Sequence, residues 1–229
     1  MVTRTGQERF RTIKGVFDEF TERNLFELHS RNYFDQLLGP VKVGKESNVF
    51  LAEREDKLVI VKIYRLQNCD FKRMYDYIRK DSRYENLKNK RREIIFAWTQ
   101  REFKNLHRAQ DAGINSPKPI AWKFNIIIEE MIGDESPALP LKDLKPKHPK
   151  QFFAEVIGQM RKLYQQGLIH GDLSAFNILN YNEKPYFIDF SQGTLTKTPN
   201  SQELLERDVR NIVNFFTSLG VKADFECMN

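Results

Sequence analysis

His170-Gly171-Asp172-Leu173-Ser174-Ala175-Phe176-Asn177, followed by Ile188-Asp189-Phe190, is the stretch from which the rest of the chain can be read. It sets two acids and an amide at the spacing used to hold a metal–nucleotide complex beside a nucleophile. Asn177 and Asp189 offer the hard oxygen ligands that Mg²⁺ takes, and Asp172 is placed to accept a hydroxyl proton or orient an attacking group. A lone Asp is ordinarily a turn former or a helix cap. Here the string follows an apolar helical pattern that stops at Gly167. It precedes the apolar run Pro185-Tyr186-Phe187-Ile188-Asp189, so Asp189 is expected on a strand.

Working outward, the nucleotide half of such a site should lie upstream. Lys62 interrupts the apolar run Val59-Ile60-Val61-Lys62-Ile63-Tyr64, where a strand would present it to the α- and β-phosphates. A charge inside an apolar strand needs an ionic partner, and Glu102 on the following helical segment is the candidate. Gly44-Lys45-Glu46-Ser47-Asn48-Val49 lies where a phosphate-covering turn belongs. With one glycine it satisfies neither Gly-rich phosphate motif, so Gly44, Lys45, Ser47 and Val49 are weaker candidates. Glu129-Glu130-Met131-Ile132 precedes Gly133, where the Glu130 carbonyl and the Ile132 amide are expected to read adenine. Glu129 is an oddity, because that corner is usually apolar.

The surrounding pattern divides the chain into a sheet-bearing half and a mostly helical half. Residues 1–40 predict short helices packed on the next unit, with Phe10, Ile13, Phe17 and Phe20 at helical spacing and Thr21 as the N-cap of a helix to Ser30. Residues 41–133 predict a small antiparallel lobe with a hairpin, one long helix over Glu93–Ala112 and two further strands. Within it, residues 71–92 are dense in Lys and Arg, show no long apolar stripe and are expected to form a flexible insertion. Residues 134–229 predict a Pro-rich connection and a second lobe with helices over 151–166 and 202–219. The layout is α+β and two-lobed, like a protein kinase.

Composition constrains the partners. The 229 residues carry 37 Lys and Arg against 31 Asp and Glu, a net charge of +6, which favours anionic partners. Only Cys69 and Cys227 are present and the four histidines are scattered, so neither a disulfide framework nor a zinc site is indicated. No apolar stretch is long enough to span a bilayer as a helix, and the expectation is a cytoplasmic protein without a membrane partner.

These residues resemble the RIO-type atypical serine/threonine protein kinases, most closely the type-1 branch in its archaeal form. The resemblance runs from about Val16 to Phe225. It is carried by Gly44 to Phe50, Val61 to Tyr64, Phe96 to Thr99, Arg101 to Leu106, His170 to Ser174 and Glu206 to Asn211, the last read as a helix signature without chemistry. It implies a trimmed kinase fold binding ATP and Mg²⁺, with Mn²⁺ as a substitute. Asp172 would be the catalytic acid, Asn177 and Asp189 the metal ligands, and Asp189 a transient acceptor of phosphate. It further implies work on the small ribosomal subunit precursor or its RNA. Val43 and Ala175 depart from the usual pattern, and the stop soon after Phe225 points to a shortened last helix. The short segment between Asp189 and the final helix leaves no room for an activation segment or peptide-docking helices, so ATP turnover controlling a large partner is expected. The rivals are a small-molecule kinase of the aminoglycoside, choline or sugar type, and a non-catalytic basic RNA-binding scaffold.

Overall fold

The computed structural model describes residues 17–67 and 69–222; the expectations that rest on Phe10, Ile13, Phe225 and Cys227 lie outside them. The first described helix, α1 (Glu19–Ser30), is capped by Asp18, whose carboxylate accepts from the Thr21 amide at 3.1 Å and the Thr21 hydroxyl at 2.8 Å. Thr21 is therefore not the cap but the residue the cap holds. An ionised acceptor also complements the positive end of the helix. Leu25 and Leu28 are buried while Phe26 is half exposed, because it lies off the face that meets the sheet.

Five antiparallel strands follow: β1 (Gln36–Val43), β2 (Ser47–Arg54), β3 (Lys57–Tyr64), β4 (Pro119–Lys123) and β5 (Ile126–Glu130), in the order β1-β2-β3-β5-β4. β1 begins before the boundary expected at residue 41. Gly39 and Pro40 hid it from the strand pattern, and the strand accommodates them as register shifts on a sheet edge. Side chains alternate across β3 and β5. Val59, Val61, Ile63, Ile126 and Ile128 cluster with Leu25 and Leu28 of α1. Tyr64 and Ile127 belong to the other cluster, under the long helix. Ile127 pairs with Lys62, and Glu129 pairs with Ile60, so Lys62 and Glu129 share that second face.

Segment 71–92, expected as a flexible insertion without a long apolar stripe, carries regular structure. It forms α2 (Phe71–Ile78) and a 3₁₀ turn (Ser82–Tyr84), and it does have an apolar stripe: Met74, Ile78 and Tyr84 are buried against α3 (Arg91–Asp111). Three residues spaced four and six apart, among so many charges, are too sparse to register as a helical face.

The second half holds α4 (Pro149–Gln165) and α5 (Ser201–Ser218), with their apolar faces meeting through Phe152, Phe153 and Phe216. It is less purely helical than expected, because short strands frame the site: β6 (Leu139–Pro140), β7 (Leu168–Ile169), β8 (Ile178–Tyr181), β9 (Lys184–Phe187) and β10 (Thr194–Leu195). They form a three-stranded sheet β6-β8-β9 and a β10-β7 pair. Fully burying a Phe or Leu of this core contributes about 1.5–3 kcal/mol, which anchors the loops between the strands.

Candidate functional site

Lys62 is the junction of the two halves. Its Nζ donates to Glu102 Oε1 on α3 at 2.7 Å and to Asp189 Oδ1 at 2.9 Å, and the Tyr64 hydroxyl donates to the other Glu102 oxygen. Burial opposes the ammonium charge, but Asp189 and Glu102 outweigh it and hold Lys62 well above its ordinary range. Burial likewise opposes ionisation of Asp189, and Lys62 wins again, holding the carboxyl well below the usual carboxylate range. Glu102 is displaced upward by burial, against the pull of Lys62.

Asp189 does not sit on a strand. β9 ends at Phe187, and Asp189 takes a left-handed conformation, φ 63° and ψ 66°, that swings its carboxylate toward Lys62. Such a backbone costs about 1 kcal/mol or more for a residue other than glycine and must be held by its surroundings. It is held from α3 and α2. Arg101 Nε and Nη2 donate to the Ser191 carbonyl at 3.1 and 2.6 Å, Asn105 Nδ2 to the Phe190 and Gly193 carbonyls at 3.0 and 2.8 Å, and the Tyr77 hydroxyl to the Gln192 carbonyl at 2.8 Å. Arg101 is fully buried against the Trp98 and Tyr77 rings, and burial lowers its pKa to about 10. Sequence reasoning gave Arg101, Asn105 and Tyr77 no role in the site. The one available signal was an Arg and an Asn on a helix face otherwise apolar.

The loop 170–177 is tied differently. Asp208 of α5 accepts from the Gly171 and Leu173 amides at 2.7 and 2.8 Å, and Asn211 donates to the Leu173 carbonyl at 3.1 Å. Arg207 donates to the Gly171 carbonyl and lies 3.9 Å from Asp172. The segment Glu206 to Asn211, expected to be a helix signature without chemistry, is therefore the anchor of this loop. Burial pushes the Asp208 carboxyl up to about 7, against its two amide donors. Gly171 is required by space as well as by its φ of 77°: a Cβ there would lie 2.6 Å from the Gln192 carbonyl oxygen and 2.8 Å from the Tyr77 hydroxyl. His170 Nε2 sits 3.0 Å from the Ile188 carbonyl, so that nitrogen carries the proton, and burial lowers the imidazole pKa to about 4.

Asp172 stays half exposed, raised by burial and by the charge of Asp189. Asn177 Nδ2 donates to the Asp172 carbonyl at 2.8 Å, which leaves the amide oxygen as an acceptor. Asn177 Oδ1 and the Asp189 carboxylate are hard oxygen donors suited to Mg²⁺. An ion of this kind is commonly held by one or two protein oxygens with phosphates and water, rather than by a protein cage. Among the described residues no group of three or more His, Cys, Asp or Glu forms such a cage.

At the opposite wall, the Gly44 amide donates to the Ser47 carbonyl at 2.9 Å and closes the β1–β2 turn. Lys45 is exposed at its tip, and Val49 is the register partner of Lys62. Glu46, which the sequence did not single out, is raised by burial and then by Asp189. At the end of β5, the Glu130 amide donates to the Lys118 carbonyl, and the Ile132 carbonyl accepts from Ala138. Among the described residues, no backbone oxygen accepts from the buried Ile132 amide. Glu129 is buried on the Lys62 face, and its pKa is raised to about 8 by burial and by Glu102. No helix among the described residues is long and apolar enough to cross a membrane.

Comparison with known proteins places this geometry. The RIO domain family model matches residues 48–228. The chain is 40% identical over 221 residues to the RIO-type serine/threonine-protein kinase Rio1 of Methanocaldococcus jannaschii, covering 96% of this chain and 76% of that protein. It is 38% identical over 219 residues to the Haloferax volcanii protein of the same name, covering 95% and 76%. Among solved structures, the Rio2 kinase of Chaetomium thermophilum as an ADP/Mg²⁺-phosphoaspartate complex superposes with a TM-score of 0.68 at 24% identity, over 88% of this chain and 61% of that one. The Rio2 kinase structure from the same organism without that description gives 0.66 at 25% identity, over 84% and 60%. The chain thus spans about three-fifths of those two chains, and the likeness shows the two-lobed fold.

Proposed function

The chain belongs to the RIO-domain family of serine/threonine-protein kinases, and from that premise we propose that it is an ATP- and Mg²⁺-dependent phosphoryl-transfer enzyme. The observation that carries the reading is the double engagement of Lys62, by Glu102 at 2.7 Å and by Asp189 at 2.9 Å, beside the hydrogen-bonded Asp172 and Asn177. Strand lysine and helix glutamate, paired, present an ammonium to the α- and β-phosphates. The Ile132 amide and the Glu130 carbonyl take the base, and the turn at Gly44, Lys45 and Ser47, with Val49 behind it, covers the nucleotide. Asn177 and Asp189 hold Mg²⁺, which supplies charge neutralisation for the triphosphate. Asp172, with its raised pKa, orients the attacking group and takes its proton.

Asp189 itself serves as a transient acceptor in this reading. A carboxylate oxygen attacks the γ-phosphorus, the bond from that phosphorus to the bridging oxygen breaks, and ADP leaves with the electron pair. Water then attacks the phosphorus, phosphate departs and the carboxylate is restored. The exposed Lys88, Lys90, Arg91 and Arg92, beside a net charge of +6, suit the phosphates of a small-subunit ribosomal precursor. Incubation with γ-phosphate-labelled ATP tests the covalent step. Label should be released by hydroxylamine and absent from Asp189→Asn; label confined to hydroxyl residues would remove Asp189 from the acceptor role.

A further inference from the structure

We infer that Glu129 is a base-specificity residue that accepts a hydrogen bond from the 6-amino group of the bound purine. The inference rests on the ATP-binding reading and names an additional contact within it. Glu129 is the register partner of Ile60 on β5 and shares the face of Lys62, while the next residues, Glu130 to Ile132, carry the backbone groups assigned to the base. It is 8% exposed, and among the described residues no donor reaches its carboxyl. The residue is buried as a whole, yet its carboxyl oxygens are not among the sealed polar atoms of the interior, so an acceptor without a protein donor remains open to a ligand N–H. Lys62 is not that donor, since its ammonium is directed to Glu102 and Asp189.

An exocyclic amino group has two N–H donors. One is taken by the Glu130 carbonyl in the reading above; an apolar residue at position 129 would leave the second unmatched. The carboxyl of Glu129 stands one residue before that carbonyl, on the site side of the strand, and matches it. Its raised pKa does not alter the outcome, because the neutral acid retains a carbonyl oxygen that accepts from N–H. The position is thus a chemical filter on the base, one residue before the backbone groups that take it.

The test compares ATP with purine riboside 5′-triphosphate, which lacks the 6-amino group, by calorimetric Kd on the full chain with Mg²⁺. Wild type should bind ATP more tightly by well over about tenfold, since both acceptors lose their donor in the analogue. Glu129→Leu should shrink that ratio by about tenfold, mostly through weaker ATP binding, and Glu129→Gln, which keeps an acceptor oxygen, should hold it. An unchanged ratio in Glu129→Leu, or a wild-type ratio below about threefold, overturns the inference while leaving ATP binding intact. Should Glu129→Leu not fold, Glu129→Met, of similar volume, and the wild-type ratio decide the matter. If wild type binds neither triphosphate, the ATP reading falls first and this inference with it.

Discussion

The two acids of the site are held from opposite directions. Asp172 sits in a loop whose amides and carbonyls are tied by Arg207, Asp208 and Asn211 of α5, within the same half of the molecule. Asp189 lies in a left-handed turn whose carbonyls are tied by Arg101 and Asn105 of α3 and Tyr77 of α2, and whose carboxylate is tied by Lys62 of β3, all from the other half. The lesson is that the Asp172 side of the site is prepared within its own half. The Asp189 side is complete only when the sheet-bearing half is docked.

The largest effect should come from the acids themselves. Asp189→Asn keeps a residue that tolerates the left-handed backbone, so the fold should persist. Mg²⁺-dependent turnover should fall by about a hundredfold or more, because the anionic oxygen is lost. Asp172→Asn should lower turnover on a similar scale. Steady-state ATP hydrolysis with circular dichroism on each variant checks both, and a folded Asp189→Asn with wild-type rates would remove Asp189 from the chemistry.

The next pair separates the two anchors. Arg101→Leu orphans the Ser191 carbonyl and should cost about 1–3 kcal/mol in denaturant unfolding, with ATP binding and turnover weakened together. Asp208→Asn leaves one of the two loop amides without an acceptor, and within one half only; turnover should drop about tenfold while the Kd for ATP stays within about twofold. If the two variants showed the same split between binding and turnover, the distinction drawn between the anchors would collapse.

Acid should act more gently, through His170. Its folded pKa of about 4 lies below its ordinary 6.5, so the unfolded chain binds the proton first as pH falls. The stability associated with a neutral His170 is complete above about pH 6.5 and is lost progressively down to about pH 4, by up to about 3 kcal/mol. Urea titrations across that range should show the decline, and His170→Asn should flatten that part of it. A smaller effect on the enzyme itself is expected from replacing Lys88, Lys90, Arg91 and Arg92 with Ala. Affinity for ribosomal RNA should fall and lose salt dependence while the Kd for ATP hardly moves. Filter binding across a salt series measures it.

Much of the fold was legible because it is periodic. The apolar run from Val59 to Tyr64 marks β3, and the stripes of α4 and α5 mark the helices of the second half. The site's acids were legible because the string from His170 to Asn177 is contiguous. What escaped is what depends on long-range closure. Arg101 meets Ser191 across 90 positions and Asp208 meets Gly171 across 37, and nothing local distinguishes these side chains from solvated ones. Segment 71–92 lost its apolar stripe to view for a related reason: its charge density hides three buried residues, and Tyr77 and Tyr84 dock the segment.

The turn at Asp189 also acts as two filters on heredity. Backbone geometry at φ 63° favours Gly, Asn and Asp; a negative charge 2.9 Å from an ammonium admits Asp and Glu. Each filter alone leaves several codons open, but their overlap contains a single amino acid. At this position conformation and chemistry make separate demands, and a drift that satisfies either one still fails the other.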